Sequence, residues 1–127
     1  MLIVVDPVDL AIFSPQQLQG VLAHELDHLT RMTPEIIALQ HNDLSLIMPE
    51  EKLADKEGTG PRGTCRPDVL AQALEVSTAL NMKQSGMPAG AYYAIMEAVD
   101  TIHPPILGRI ADLNSPEARS PGCAGRK

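Results

Sequence analysis

The sequence predicts an α-rich α+β fold, with one short N-terminal strand followed by five or six helices. Three observations carry that expectation. Leu2-Ile3-Val4-Val5 is a short apolar run rich in β-branched residues and closed by Asp6-Pro7, as a buried strand would be. Beyond it, helix-opening signals recur at Ser14-Pro15, Thr33-Pro34 and Pro49-Glu50-Glu51, each pairing a cap or an acid with a first-turn proline. Between those signals, apolar residues return at three- and four-residue steps.

Taken in order, Ser14 caps a helix that runs to about Met32, with Leu18, Val21, Leu22 and Leu29 on one stripe. Asp27 and Arg31, four apart on the far side, read as a solvated pair. Pro34–Gln40 forms a short helix, and His41-Asn42-Asp43 a polar turn. The helix opened at Pro49 stops at Gly58, and residues 57–67 (EGTGPRGTCRP) form a loop. Asp68 caps a long helix to about Met82, which Gly86-Met87-Pro88 breaks. A helix from about Ala89 has Ile95, Met96, Val99 and Ile102 as its stripe, and a last one turns Ile106, Ile110 and Leu113 inward. One domain is expected over residues 1–114, followed by a disordered Pro/Gly/Ser-rich tail over 115–127.

Composition narrows the class. A chain of 127 residues supplies one domain, and with one Phe, two Tyr and no Trp its core must be aliphatic and methionine-filled. The net charge of −6 is uneven: residues 1–60 carry ten acids against three bases, and residues 61–127 carry six against seven. No basic patch emerges, which argues against nucleic acid as a partner. No apolar run approaches the ~20 residues of a membrane span, and the start lacks a signal-peptide pattern, so a cytoplasmic protein is favoured. Cys65 and Cys123 then read as two free thiols, with a disulfide as the alternative in an oxidising compartment.

The predicted helix after Ser14 contains His24-Glu25-Leu26-Asp27-His28, the pattern H-E-x-x-H. Helical residues four apart stack on one face, so the two imidazoles would converge on one point, as a zinc ion requires. Glu25 would project beside them, within reach of a proton on metal-bound water. Glu51 and Asp55 share a face of the next acidic helix, and read either as a third ligand with a neighbouring carboxylate or as a solvated acidic face. His103, held before Pro104-Pro105, is either a local cap or a placed functional group.

Three segments together resemble one family, the HtpX-like and CAAX-prenyl-protease-like zinc metallopeptidases, which are gluzincins. Residues 14–29 (SPQQLQGVLAHELDHL) resemble the family's VLAHE-x-x-H helix, and residues 51–58 (EKLADKEG) its E-x-x-A-D-x-x-G. Thr101-Ile102-His103-Pro104-Pro105, with Arg109-Ile110 and Leu113, resembles its H-P-P closing segment. The resemblance implies a minimal zincin-like metalloendopeptidase core that binds one Zn2+ through His24, His28 and Glu51. It makes Glu25 the general base, Asp55 the hydrogen-bond partner of a ligand histidine, and His103 a donor to the oxyanion. Arg109 would brace the closing helix by pairing with an acid.

The substrate would be a peptide or an unfolded protein. The family carries more chain upstream, including an edge strand along which substrate lies, so a partner chain could supply that strand here. The competing expectation is a truncated, non-catalytic module that binds zinc or a protein. H-E-L-D-H-L also resembles the metal motif of peptide deformylase, but that family takes its third ligand from an upstream cysteine, and both cysteines here lie downstream.

Overall fold

A computed structural model describes residues 5–100 and 104–125. Seven α-helices follow one another among the described residues: α1 (Pro7–Ile12), α2 (Pro15–Arg31), α3 (Pro34–Asn42), α4 (Ile47–Gly58), α5 (Pro67–Ser85), α6 (Ala89–Val99) and α7 (Ile106–Asn114). The expected α+β class is therefore corrected to all-α, with no strand among the described residues. Residues 2–4 of the expected strand lie outside them. The physical reason is legible at Asp6-Pro7. The Asp6 side chain accepts from the Val8 amide at 2.8 Å and Pro7 takes the first helical position, so the dipeptide opens a helix instead of closing a strand. A strand also needs a neighbour to pair with, and no described segment offers an extended edge.

Local chemistry accounts for the other helices. Ser14 and Gln17 form a reciprocal capping box at the start of α2, and Thr33 caps α3 by accepting from the Ile36 amide. The 3₁₀ turn Leu44–Leu46 leads directly into α4. Helix α5 begins at Pro67, so Asp68 lies inside its first turn, ion-paired to Arg66, rather than serving as the cap. It ends at Gly86, whose φ of 69° is the left-handed conformation that glycine adopts without strain.

Helices α2, α4, α5 and α7 make the body of the fold. Its core is small: Leu70, Ala71 and Leu113, with Val21, Leu74 and Ile110 packed against them. The core is aliphatic, but alanines such as Ala54, Ala71 and Ala73 fill it rather than methionines. The expected α6 stripe is not inward. Ile95 and Val99 are exposed, whereas Tyr92 is the buried residue of that helix.

Cys65 and Cys123 form a disulfide, which corrects the free-thiol expectation. Both residues are buried, and Cys123 ends the second of two 3₁₀ turns, Pro116–Ala118 and Pro121–Cys123. The stretch after Asn114, expected to be disordered, is thus folded back and cross-linked as far as residue 125. None of the described helices is long and apolar enough to cross a membrane.

Candidate metal centre

The centre is built where α2 crosses α4. On α2 the buried residues are Gly20 and His24, one turn apart. Gly20 faces the α5 backbone at Leu70, while His24 faces α4. The approach of α4 is close: a β-carbon at Gly58 would stand 3.0 Å from both N and Cα of His24. Glycine at 58 lets the backbones meet there, and the α4 residues one and two turns earlier then come level with the His24 ring. Those residues are Asp55 and Glu51.

Two ring nitrogens and both oxygens of one carboxylate converge. Nε2 of His24 lies 3.1 Å from Nε2 of His28 and 3.1 Å from Oε2 of Glu51, and Nε2 of His28 lies 3.3 Å from Oε1 of Glu51. Tetrahedral zinc, with ligand bonds of about 2.0–2.1 Å, has donor–donor edges of roughly 3.3–3.4 Å. The separations lie close to those edges, and because each histidine meets a different Glu51 oxygen, one shared ion requires the carboxylate to turn or to bind through both oxygens. His24, His28 and Glu51 are the group among the described residues whose donor atoms lie close enough to share an ion.

The second ring nitrogens are occupied. His24 Nδ1 lies 2.8 Å from Oδ1 of Asp55, and His28 Nδ1 donates to Oε1 of Glu50 at 3.2 Å. Each imidazole, neutral in that tautomer, presents a bare lone pair at Nε2. Two such lone pairs facing a carboxylate contain no donor among them, so a cation or added protons must hold them together. Burial opposes a charge on His24, but the hydrogen bonds to Asp55 and Glu51 outweigh it and its pKa is pushed up to about 9. The Glu51 hydrogen bond likewise raises His28, against burial. Burial works against ionised Glu51, yet its two histidine partners hold its carboxyl far below the usual range.

The charge around the two rings can be balanced by a divalent cation or by a proton added to each imidazole. Four carboxylates (Glu50, Glu51, Asp55 and Asp27) join two guanidiniums (Arg31 and Arg109) in the connected cluster around the two rings, leaving two negative charges.

Asp55 is itself clamped. Arg109 of α7 donates from Nε to Oδ2 at 2.8 Å and from Nη2 to Oδ1 at 2.7 Å, a two-point contact buried in the body of the fold. The pairing brings the start of α7 to the base of the site. Glu25 is exposed and lines a cleft of about 410 Å3 together with His28, Glu51 and the apolar residues Leu18, Leu22, Leu29 and Ile47. The α2 stripe thus faces an opening beside the centre more than it faces the core. His103 lies outside the described residues.

Sequence reasoning missed Glu50, Asp27 and Arg31 as parts of this site. Asp27 and Arg31 are indeed ion-paired, but not simply solvated: Arg31 also reaches Glu50, with Nη2 to Oε1 at 2.8 Å. A signal existed in the spacing, since Arg31 follows His28 by three residues and so lies beside it on α2. The chain matches no family model, no curated protein and no solved structure.

Proposed function

We propose that the protein is a zinc-dependent metalloendopeptidase that hydrolyses internal peptide bonds of peptides or unfolded proteins, in the manner of the gluzincins its motifs resemble. The observation that carries this reading is the convergence of His24, His28 and Glu51, whose donor atoms lie close enough to share one ion, with Glu25 lining the adjoining cleft. A zinc ion held by these three residues would supply Lewis acidity, polarising a peptide carbonyl and acidifying water. The protein's own groups do the rest.

Asp55 holds the His24 ring in the tautomer that leaves Nε2 free, and Arg109 holds Asp55. Glu25 takes a proton from the attacking water and passes it to the nitrogen of the departing amine. His103 keeps, within this proposal, the oxyanion-donor role that the H-P-P resemblance implies. The disulfide favours an oxidising compartment over the cytoplasm expected from the sequence.

Zinc content and cleavage of casein by the purified protein test the reading together. Glu51→Ala is expected to lose the metal, whereas Glu25→Gln keeps it and loses turnover by several orders of magnitude. Full metal occupancy in Glu51→Ala would refute the ligand set. Stoichiometric zinc without any Glu25-dependent cleavage would favour a non-catalytic zinc module.

A further inference from the structure

His28 is gripped from both sides by consecutive residues of α4. Glu51 approaches its Nε2 and Glu50 its Nδ1. Glu50 in turn is held by Arg31, whose Nε donates to Oε1 at 3.0 Å and to Oε2 at 3.1 Å and whose Nη2 lies 2.8 Å from Oε1. Arg31 is anchored back on its own helix by Asp27, one turn earlier. Ring, carboxylate and guanidinium therefore form a chain, and the same order occurs on the other imidazole as His24, Asp55 and Arg109.

The two chains differ in origin and depth. The His24 chain ends on α7 and all its side chains are about nine-tenths buried, whereas Arg31 is about a quarter exposed and belongs to α2 itself. Sequence resemblance points to Asp55 alone, and nothing in the H-E-x-x-H or E-x-x-A-D patterns specifies an acid at position 50.

We infer that Glu50, clamped by Arg31, is the positioning residue of His28: it fixes the ring's rotation and keeps the proton on Nδ1, so that Nε2 presents its lone pair to the focus shared with His24 and Glu51. This inference rests on the metal reading above and adds to it a second, independent orienting arm. Its physical basis is general. A ligand histidine whose remote N–H meets a carboxylate cannot swing or switch tautomer without breaking that bond, and loss of such a partner costs metal affinity. The Arg31 Nε–H, shared between both Glu50 oxygens and set in a planar guanidinium, holds the carboxylate in one orientation, which a freely rotating ammonium does less well. Glu50 touches no reacting atom in this scheme and acts only through His28.

The test uses the full chain and two readouts. Zinc affinity is measured by chelator competition on the wild type, Glu50→Gln and Arg31→Lys, with circular dichroism confirming the helices. The proton position on His28 is read from imidazole 15N shifts of the metal-free protein, at a pH where both rings are neutral.

Glu50→Gln is expected to bind zinc about 10–100-fold more weakly. Its His28 should shift from the Nδ1–H form to a mixture of tautomers. Arg31→Lys should fall between Glu50→Gln and the wild type in both measurements, and it carries the test alone if Glu50→Gln does not fold. Wild-type zinc affinity and an unchanged His28 tautomer in the variants would overturn the inference. A wild type that takes up no zinc would overturn the metal reading, while the tautomer measurement would still decide whether Glu50 orients the ring.

Discussion

A single buried imidazole sets the chemistry of this molecule. His24 is pinned at Nδ1 by Asp55 and meets Glu51 and His28 at Nε2, so its protonation and any metal at the site are alternatives. The pH dependence follows. The folded pKa of about 9 stands above the ordinary 6.5. A group raised on folding adds stability that is complete below its unfolded pKa and disappears as pH climbs through the folded one. The melting temperature of the metal-free protein is therefore expected to fall between pH 6.5 and about 9. Excess zinc should abolish that fall, because neutral imidazoles bind metal better as protons leave. A melting temperature that stays flat across the window in chelator would show that His24 carries no such proton.

At this scale the sequence is readable where chemistry is written in local spacing. His24, Glu25 and His28 sit four or fewer residues apart, and their grouping needs only a helix. Glu51 joins them from 27 positions away; its spacing with Asp55 left a ligand and a solvated face equally open, and only likeness to a motif favoured the ligand. Glu50 and Arg31 were passed over because an acid in a first helical turn and an i, i+4 ion pair have ordinary local explanations, and the i, i+3 step from His28 to Arg31 does not by itself point to a site. What gives them a place at the site is the crossing of α2 and α4, which neither segment encodes alone.

The crossing itself is the decisive element-level feature. Gly58 allows the α4 backbone to touch α2 at His24. In Gly58→Ala the added methyl would meet backbone atoms at 3.0 Å, with no flexible side chain to move aside. The helices must separate slightly, and the expected cost is about 1–3 kcal/mol, less up to roughly 0.5–1 kcal/mol that alanine's helix preference returns. Urea midpoints should show the loss, and zinc affinity should drop with it because Glu51 and Asp55 retreat from the rings. A Gly58→Ala protein as stable and as metal-competent as the wild type would show that the contact is slack.

Elements were also where the sequence misled. Asp6-Pro7 and the preceding apolar run fit a strand and a helix start equally well, and the cap hydrogen bond from Val8 decides for the helix. The α6 periodicity is a true helical period, but its Ile95 and Val99 face outward. Periodicity reports that a face is apolar, not which neighbour covers it.

For the molecule as a whole, the small aliphatic core is reinforced by a cross-link between residues 58 positions apart. Closing a loop of that size removes unfolded-chain freedom worth about 4 kcal/mol in the entropic view, and measured losses for native disulfides run from about 2 to 5 kcal/mol. Cys65→Ser with Cys123→Ser is expected to lower stability within that range. Equal denaturant midpoints for the paired variant and the wild type would mean that the cross-link adds nothing. Sequence statistics could not settle this pairing, because two cysteines in Gly/Pro-rich stretches carry no register. Only the path of the chain brings them within bonding distance.

The seclusion of those two sulfurs has a kinetic side. Cys65 is 2% exposed and Cys123 is not exposed at all, so a dissolved thiol meets them only when residues 58–66 or the last turns lift away. Gly58 begins that loop directly against the His24 backbone. The rate at which free thiol appears under a strong reductant would therefore serve as a clock for how often the ground beneath the histidine cluster gives way.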